Sequence, residues 1–480
     1  MTEQDTAVPI AQKQARLAQA LGAAAVITEP SGMVRYCRDW HGDITTGAVA
    51  ILRPDSTEAV VKAVRLCAEL DLKIVVQGGN TGLVLGATPD DPSNQVVLSL
   101  ERMNHIRSVD ADDFSAVVEA GCILQTVQEA ADAQGMLLPL SLGAEGSCHV
   151  GGNVSTNAGG INVLRYGMVR EQVLGLEVVM ADGDVLDMLG TLRKDNRGLD
   201  LKQLFIGAEG TLGIVTAVAL KLHPRAEQVE TALLGVASLE DAIALYRRAR
   251  RDCCDLMSAF EFMPPDAFVL AQEAIAGLAM PIAADYPAYV LMEVSGSGLV
   301  DIKALLETFL ENVMTEGLVK DGVVAATRAQ AETLWKFREG MIEGQAMRGT
   351  HLRTDVSVAL SRLADFVDQA QSRLRQAFPD CLTVSYGHVG DGNIHINVLP
   401  AAGTPKPARE QIIAEAKKMI NAVIDEFKGS ISAEHGIGRL KREEFEERLS
   451  SSQRQVLCAV KHALDPALRL NPRCQISFDG

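Results

Sequence analysis

Aromatic residues are scarce, with Phe, Trp and Tyr making up 4% of the 480 residues. Aliphatic side chains must therefore fill the core, and a hydrophobic fraction of 47% is ample for that. Basic residues are outnumbered, 45 Lys and Arg against 62 Asp and Glu, giving a formal net charge of −17. That balance argues against nucleic acid or an anionic membrane surface as the main partner, while leaving room for a local basic pocket. No run of ~18 uninterrupted apolar residues occurs, so no membrane span is expected. The N-terminal stretch MTEQDTAVPIAQKQARLAQALG has mixed charge and no continuous apolar segment, unlike a signal peptide. The nine cysteines include no CxxC pair, and Cys253 and Cys254 are adjacent, a poor geometry for a bridge. They read as reduced thiols, and the chain as cytoplasmic. Neither G-x-x-x-x-G-K-[ST] nor G-x-G-x-x-G is found, so neither a P-loop nor an ordinary NAD fold is expected.

What is present is organised in zones. A chain this long predicts two or three domains. From about Ala48 to Pro224, β-like apolar runs such as KIVVQGG, QVVLSL and GIVTAVALKLHP alternate with short helical patterns. Ser56 and Thr57 are cap candidates for a helix whose apolar positions are Val60, Val61, Val64 and Leu66. From about Ala226 to Ala377 helical patterns dominate, with strand-like pieces at YVLMEVSG and VVAAT. LTVSYGHVGDGNIHINVLP reads as two strands joined by a glycine-rich turn. A long amphipathic helix follows, and SSQRQVLCAVKHALDPALRLNP reads as a last helix ended by Pro472. The expected class is α+β, with domains at 1–224 (core about 48–224) and 225–450 and a C-terminal helical segment at 451–480 returning to the first.

Glycine clusters mark the first zone: QGGNTGLVLG, SLGAEGSCHVGGNVSTNAGG, LRYG and FIGAEGTLGI. Glycine lets backbone N–H groups approach phosphate oxygens, because no Cβ obstructs them and φ > 0 is accessible. Any one cluster could equally be a tight turn; a cofactor site explains four of them better.

These blocks, with PDSTEAVVKAV and LRYGMVREQVLGLEVVMADG, closely resemble the FAD-binding domain of the vanillyl-alcohol oxidase superfamily, in particular its D-lactate, glycolate and D-2-hydroxyglutarate dehydrogenase branch. The resemblance covers about Ala48 to Ile476. It implies a PCMH-type FAD domain, an α+β cap domain for substrate, and a return of the C-terminus to the FAD domain. It also implies that the first loop (Gly78, Gly79, Asn80, Thr81, Gly82, Leu83) binds the FAD diphosphate. The second (Leu142, Gly143, Gly146, Ser147, Gly152, Asn153, Thr156, Asn157, Gly159) would run beside the flavin. Glu209, Gly210, Gly213 and Ile214 would help hold the adenosine half. Asn80 stands where some superfamily members carry a flavin-linking histidine, so dissociable FAD is expected.

The C-terminal half carries the chemistry. His388 and His395 flank a Gly-Asp-Gly-Asn turn, and Glu434 and His435 are neighbours in SAEHGIG. Two imidazoles and a carboxylate are the ligand set of an open zinc site, although histidines that only hydrogen-bond at a turn fit the spacing too. Glu434 and His435 can serve one site only if their segment is irregular, since adjacent strand residues face opposite ways. The resemblance makes His388, His395 and Glu434 ligands of Zn²⁺ or another divalent metal and His435 the general base. Asn397, Arg338 and Arg353 become substrate contacts, whereas either arginine taken alone would be a solvated residue. Two departures stand out: Arg353 replaces a lysine of the resembling enzymes, and Ile342 a substrate-binding threonine.

The expected reaction is metal-assisted oxidation of a D-2-hydroxy acid to the 2-oxo acid, D-2-hydroxyglutarate or D-malate ahead of D-lactate. A D-lactate dehydrogenase or glycolate oxidase-like enzyme is the alternative, and a flavin-dependent alkyl transferase a more remote one. Reduced FAD would pass electrons to an acceptor such as an electron-transferring flavoprotein, a quinone or a cytochrome. A homodimer is an arrangement the sequence leaves open.

Overall fold

A computed structural model describes residues 8–283 and 285–478, so the first seven residues of the N-terminal stretch lie outside it. The chain forms two compact units. One takes the described residues through Ala158, then Met168–Pro224, then Glu434 onward; the other takes Gly159–Gly167 and Arg225–Ala433. Among the described residues no helix is long and apolar enough to cross a membrane.

The first unit holds two main sheets. In the smaller, Ala50–Leu52, Gln95–Ser99 and Lys73–Gln77 pair in parallel, with Val26–Ile27 antiparallel at the edge. The larger is antiparallel, in the order Ile106–Asp110, Ser115–Glu119, Ile214–Lys221, Val173–Val179, Val185–Met188. Its central strand Ile214–Lys221 is buried at all but its last position, which is why it reads as a continuous apolar run without alternation. The expected helix forms at Thr57–Glu69, with the Ser56 hydroxyl accepting from the Ala59 amide at 3.2 Å. Val60, Val64 and Leu66 face the core, while Val61 is only half-buried.

The C-terminal helix, Ser451–Leu464, stops eight residues before Pro472. Its end is set by Asp465, at φ −144°, because the ring of Pro466 disfavours the α conformation in the residue before it. Asp465 is fully buried and accepts from Lys461 Nζ at 2.7 Å and from the Leu470 amide at 2.8 Å. Lys461 Nζ also donates to the Thr211 carbonyl at 2.6 Å, tying this helix to the Glu209–Gly213 turn. Asp465→Ala would leave a buried ammonium without its counter-charge, at a cost of about 3–5 kcal/mol. A melting temperature lower by roughly 10 °C is the expected result by calorimetry. A shift under about 2 °C would show that the pair contributes little.

The second unit is built on an antiparallel sheet ordered Met257–Met263, Ala288–Gly296, Gln228–Val236, Asp321–Val324. Two of these strands, Gln228–Val236 and Met257–Met263, lie where helical patterns were expected. Met257–Met263 is buried at all seven positions, so its sequence MSAFEFM carries no alternation to betray a strand. The helix Arg328–Met347 crosses Pro265–Ala274 so closely that a Cβ on Gly344 would lie 2.1 Å from the Leu270 carbonyl oxygen. A second sheet pairs Leu382–Tyr386 with Asn393–Leu399 antiparallel, placing Tyr386 opposite His395 and Val384 opposite Asn397. Val356–Ser357 flanks it.

The boundaries differ from those expected. Return to the first unit comes at Glu434, not near 450, because the Ile437 and Gly438 amides bind the Glu209 carboxylate and those of Arg439 and Leu440 bind the Val84 carbonyl. Residues 159–167 leave the first unit for the second, where Arg165 Nη1 donates to the Ser295 carbonyl at 2.8 Å.

Candidate active site

In the first unit, the strand Lys73–Gln77 delivers the first glycine loop against the second. A Cβ on Gly79 would sit 2.1 Å from the Ser147 carbonyl oxygen, so only glycine permits that approach. Asn80, at φ +56°, turns its amide inward to donate to the Arg38 carbonyl at 2.8 Å. The second loop runs into the short helix Val150–Thr156, whose Gly151 amide binds the Ala120 carbonyl. Next to these tight contacts is open space: a Cβ on Gly82, Gly143 or Gly152 would meet nothing within 4 Å. His149 Nδ1 and Asn153 Oδ1 are buried without a hydrogen-bond partner. Burial lowers the His149 pKa against the opposing pull of Glu101, keeping the imidazole neutral. Orphaned buried polar atoms cost about 1–3 kcal/mol each, a cost that a bound polar cofactor removes. The cradle fits FAD.

Other residues expected to touch the cofactor also make bonds within the chain. Thr156 Oγ1 donates to the Gly152 carbonyl, and Asn157 Oδ1 accepts from the Arg170 amide at 3.0 Å. Glu209 is buried at φ +50° with its carboxylate spent on Ile437 and Gly438. Gly213 packs on Val178 and Phe205, and Ile214 is fully buried in the core strand. The Thr156 oxygen can still accept and Asn157 Nδ2 meets only the Met168 sulfur at 3.7 Å, so both keep a polar group to offer a dinucleotide. Gly159 falls in the second unit.

The second unit gathers His388, His395, Arg338 and Asn397, with ring centroids of the two histidines 6.4 Å apart. The residue that links two of them, His388 and Arg338, is Glu261, on Met257–Met263, which sequence reasoning missed together with its strand. Its buried carboxylate accepts from His388 Nδ1 through one oxygen and from Arg338 Nε at 2.8 Å through the other. Burial pushes this carboxyl up, but His388 and Arg338 outweigh it and hold the pKa at about 2. His395 Nδ1 is held by the Thr354 carbonyl at 2.7 Å. Both acceptors require a proton on Nδ1 and so put each neutral imidazole's lone pair on Nε2, the arrangement that second-sphere oxygens impose on metal-binding histidines. Asp355, also unforeseen, is buried and accepts from Asn393 Nδ2 at 3.1 Å.

The substrate-contact candidates fare differently. Arg338 is buried and its charge is already matched by Glu261. Arg353 is exposed and makes no hydrogen bond or ion pair among the described residues. Asn397 is buried and fully engaged: Oδ1 accepts from the Thr354 amide at 3.0 Å, and Nδ2 donates to Gln345 Oε1 at 2.7 Å and to the Tyr386 hydroxyl at 3.2 Å. In the first unit, Glu434 and His435 are half-buried in an irregular stretch followed by Gly436 at φ +82° and Gly438 at φ +55°.

Residues 48–189 match the FAD binding domain family and residues 225–474 the family of FAD linked oxidases, C-terminal domain. A probable mitochondrial D-2-hydroxyglutarate dehydrogenase of Oryza sativa subsp. indica is 40% identical over 453 residues, 94% of this chain and 79% of that one. The D-2-hydroxyglutarate dehydrogenase of Xanthomonas citri pv. viticola is 39% identical over 458 residues, 95% of each chain. The structure of p-cresol methylhydroxylase with substrate bound matches at a TM-score of 0.77 over 98% of this chain and 97% of that one. At 17% identity that likeness is one of fold. The chain belongs to the FAD-linked oxidase family and is a flavin-dependent oxidoreductase acting on CH–OH donors.

Proposed function

We propose that this protein is a D-2-hydroxy acid dehydrogenase with a divalent metal held by His388, His395 and Glu434, and that its substrate is D-2-hydroxyglutarate or D-malate in preference to D-lactate. The observation that carries the reading is Glu261. One buried carboxylate orients both an imidazole suited to a metal and a guanidinium suited to a carboxylate, and the rice and Xanthomonas relatives are named for oxidation of such an acid.

When bound, FAD supplies the two-electron acceptor for the C2 hydride. A divalent cation, when bound, supplies Lewis acidity that lowers the pKa of the C2 hydroxyl. The protein's own part is position and proton transfer. Arg338, aligned by Glu261, orients the C1 carboxylate. His435 takes the hydroxyl proton, a task that suits imidazole near neutral pH. Turnover would then need a separate electron acceptor, such as an electron-transferring flavoprotein, a quinone or a cytochrome. Ile342 favours the D-lactate reading, because its apolar side chain offers no donor to a polar substrate tail.

Anaerobic mixing with D- and L-2-hydroxy acids tests the proposal. D-isomers should bleach the flavin and L-isomers should not, and acid precipitation should release the FAD, since Asn80 offers no covalent link. An alkyl transferase would leave the flavin oxidised with every acid, and that result would remove the dehydrogenase reading.

A further inference from the structure

Gly79 and Asn80 of the cofactor cradle also line a cleft of about 770 Å³, open to solvent, together with Val34, Arg35, Arg38 and Trp40. That volume suits a small organic molecule. Asn80 ties the walls to each other, donating to the Arg38 carbonyl at 2.8 Å and to the Arg35 carbonyl at 3.4 Å. Trp40 is 49% exposed and Val34 47%, so the cleft has an aromatic and an apolar surface to offer. The two arginines are not equivalent. Arg35 reaches both oxygens of Glu101 at 3.1 Å and is neutralised there. Arg38 makes no hydrogen bond or ion pair through its guanidinium among the described residues. Asp39 beside it forms no such pair, because its carboxylate turns to the His41 amide at 3.2 Å and the Ile44 amide at 2.6 Å. The Arg38 guanidinium lies instead against Gly42, where a Cβ would meet Nη2 at 2.1 Å. Gly42 has φ +76°, so its backbone and the space beside it both exclude a side chain.

The cleft thus presents N–H donors without an acceptor next to an accessible indole. An arginine has only donors, so its partner must supply lone pairs. A flat ring stacks on indole. A quinone joins the two properties, with carbonyl oxygens at the edge of a planar, electron-poor ring. It is uncharged, so the net charge of −17 does not repel it. A protein acceptor would need a contact surface of about 800 Å² on each side, whereas these groups line a recess. Resting on the dehydrogenase reading above, we propose that this cleft is the reoxidation site, where a quinone stacks on Trp40, accepts from Arg38 and is reduced beside the cradle. The quinone takes up two electrons and two protons and leaves as the hydroquinone. Both electrons and one proton come from the reduced flavin, and the second proton comes from water.

The test reduces the flavin of the holoenzyme photochemically and follows its reoxidation by duroquinone or ferricyanide in wild type, Arg38→Ala and Trp40→Ala. Both side chains are exposed, so the variants should fold and keep their FAD. Reoxidation by duroquinone should slow roughly 10- to 100-fold in Arg38→Ala and about tenfold in Trp40→Ala. Ferricyanide, which takes single electrons without entering a recess, should stay near the wild-type rate. Binding is read separately from tryptophan fluorescence. Duroquinone should quench Trp40 saturably, and Arg38→Ala should need about tenfold more of it. Trp40→Ala reports the background from Trp335, the other tryptophan of the chain. Equal duroquinone rates in all three proteins, quenching without saturation, or an equal slowing with ferricyanide would overturn the proposal. So would variants that lose rate with an electron-transferring flavoprotein but not with duroquinone, because the cleft would then serve a protein acceptor. Failure of every 2-hydroxy acid to bleach the flavin would sink the dehydrogenase reading alone, since photoreduction still tests the cleft.

Discussion

His388→Ala and His395→Ala are each expected to strip the protein of its divalent metal and of turnover while leaving its flavin content near normal. The flavin should persist because the glycine loops around Gly79, Gly143 and Gly152 lie in the first unit and make their contacts there. Elemental analysis and flavin absorbance separate the two effects. The orientation of His388 adds a finer expectation. Its Nδ1 proton goes to Glu261, and loss of such a second-sphere carboxylate typically lowers metal affinity about 10- to 100-fold. Glu261→Gln should do this and more. An amide has one oxygen for two donors, so its nitrogen would be forced against His388 Nδ1–H or Arg338 Nε–H, leaving the buried guanidinium uncompensated. The stability cost of that is about 3–5 kcal/mol, which His388→Ala avoids because it keeps the Arg338–Glu261 pair. The two variants should therefore rank oppositely: His388→Ala worse in metal content, Glu261→Gln worse in melting temperature. Full turnover in chelator-treated enzyme, shown by elemental analysis to be metal-free, would dismiss the metal role altogether.

What could be read from the sequence divides along physical lines. The glycine loops were legible because backbone conformation leaves a residue-type signature: Gly79 is excluded from being anything else by a carbonyl 2.1 Å from where its Cβ would stand. The strands Leu382–Tyr386 and Asn393–Leu399 were legible because a glycine-rich turn separates two β-like runs, although His388 lies in that turn and only His395 is on a strand. Glu261 was not, because it sits alone in a seven-residue strand buried on both faces, where neither alternation nor a partner nearby in sequence gives it away. His388 is 127 residues distant and Arg338 is 77, so only the folded chain joins them. Glu209 shows a second limit. The resemblance put it beside the cofactor, but nothing in the sequence showed that its carboxylate binds amides 228 and 229 residues downstream. Arg338 shows a third: charge is visible in a sequence, but its neutralisation by a buried carboxylate is not. The charge count that favoured a dicarboxylate from two arginines is thereby weakened.

His435→Ala is expected to slow flavin reduction by roughly 10²–10⁴-fold, the range typical of losing a general base, while metal occupancy persists. The segment around His435 is built to hold a side chain still. Gly436, at φ +82°, breaks any strand-like alternation, so Glu434 and His435 need not face opposite ways. Beyond it, the amides of Ile437 and Gly438 each donate at 2.8 Å to one oxygen of Glu209, itself buried and further contacted by Cys474 Sγ at 3.3 Å. Glu209 is on this view a positioning residue for the base, and Glu209→Gln supplies the control. Exchanging one acceptor oxygen for an amide nitrogen turns a donor against Ile437 or Gly438 N–H and loosens the turn without removing the imidazole. Stopped-flow reduction should then be slowed less than in His435→Ala, and added imidazole should restore rate only to the alanine variant. If His435→Ala instead loses metal and, once reconstituted, reduces its flavin at the wild-type rate, His435 is a ligand and the proton goes elsewhere. If Glu209→Gln is as slow as His435→Ala and regains rate with imidazole, the turn does not position the base in the way the Glu209 hydrogen bonds imply.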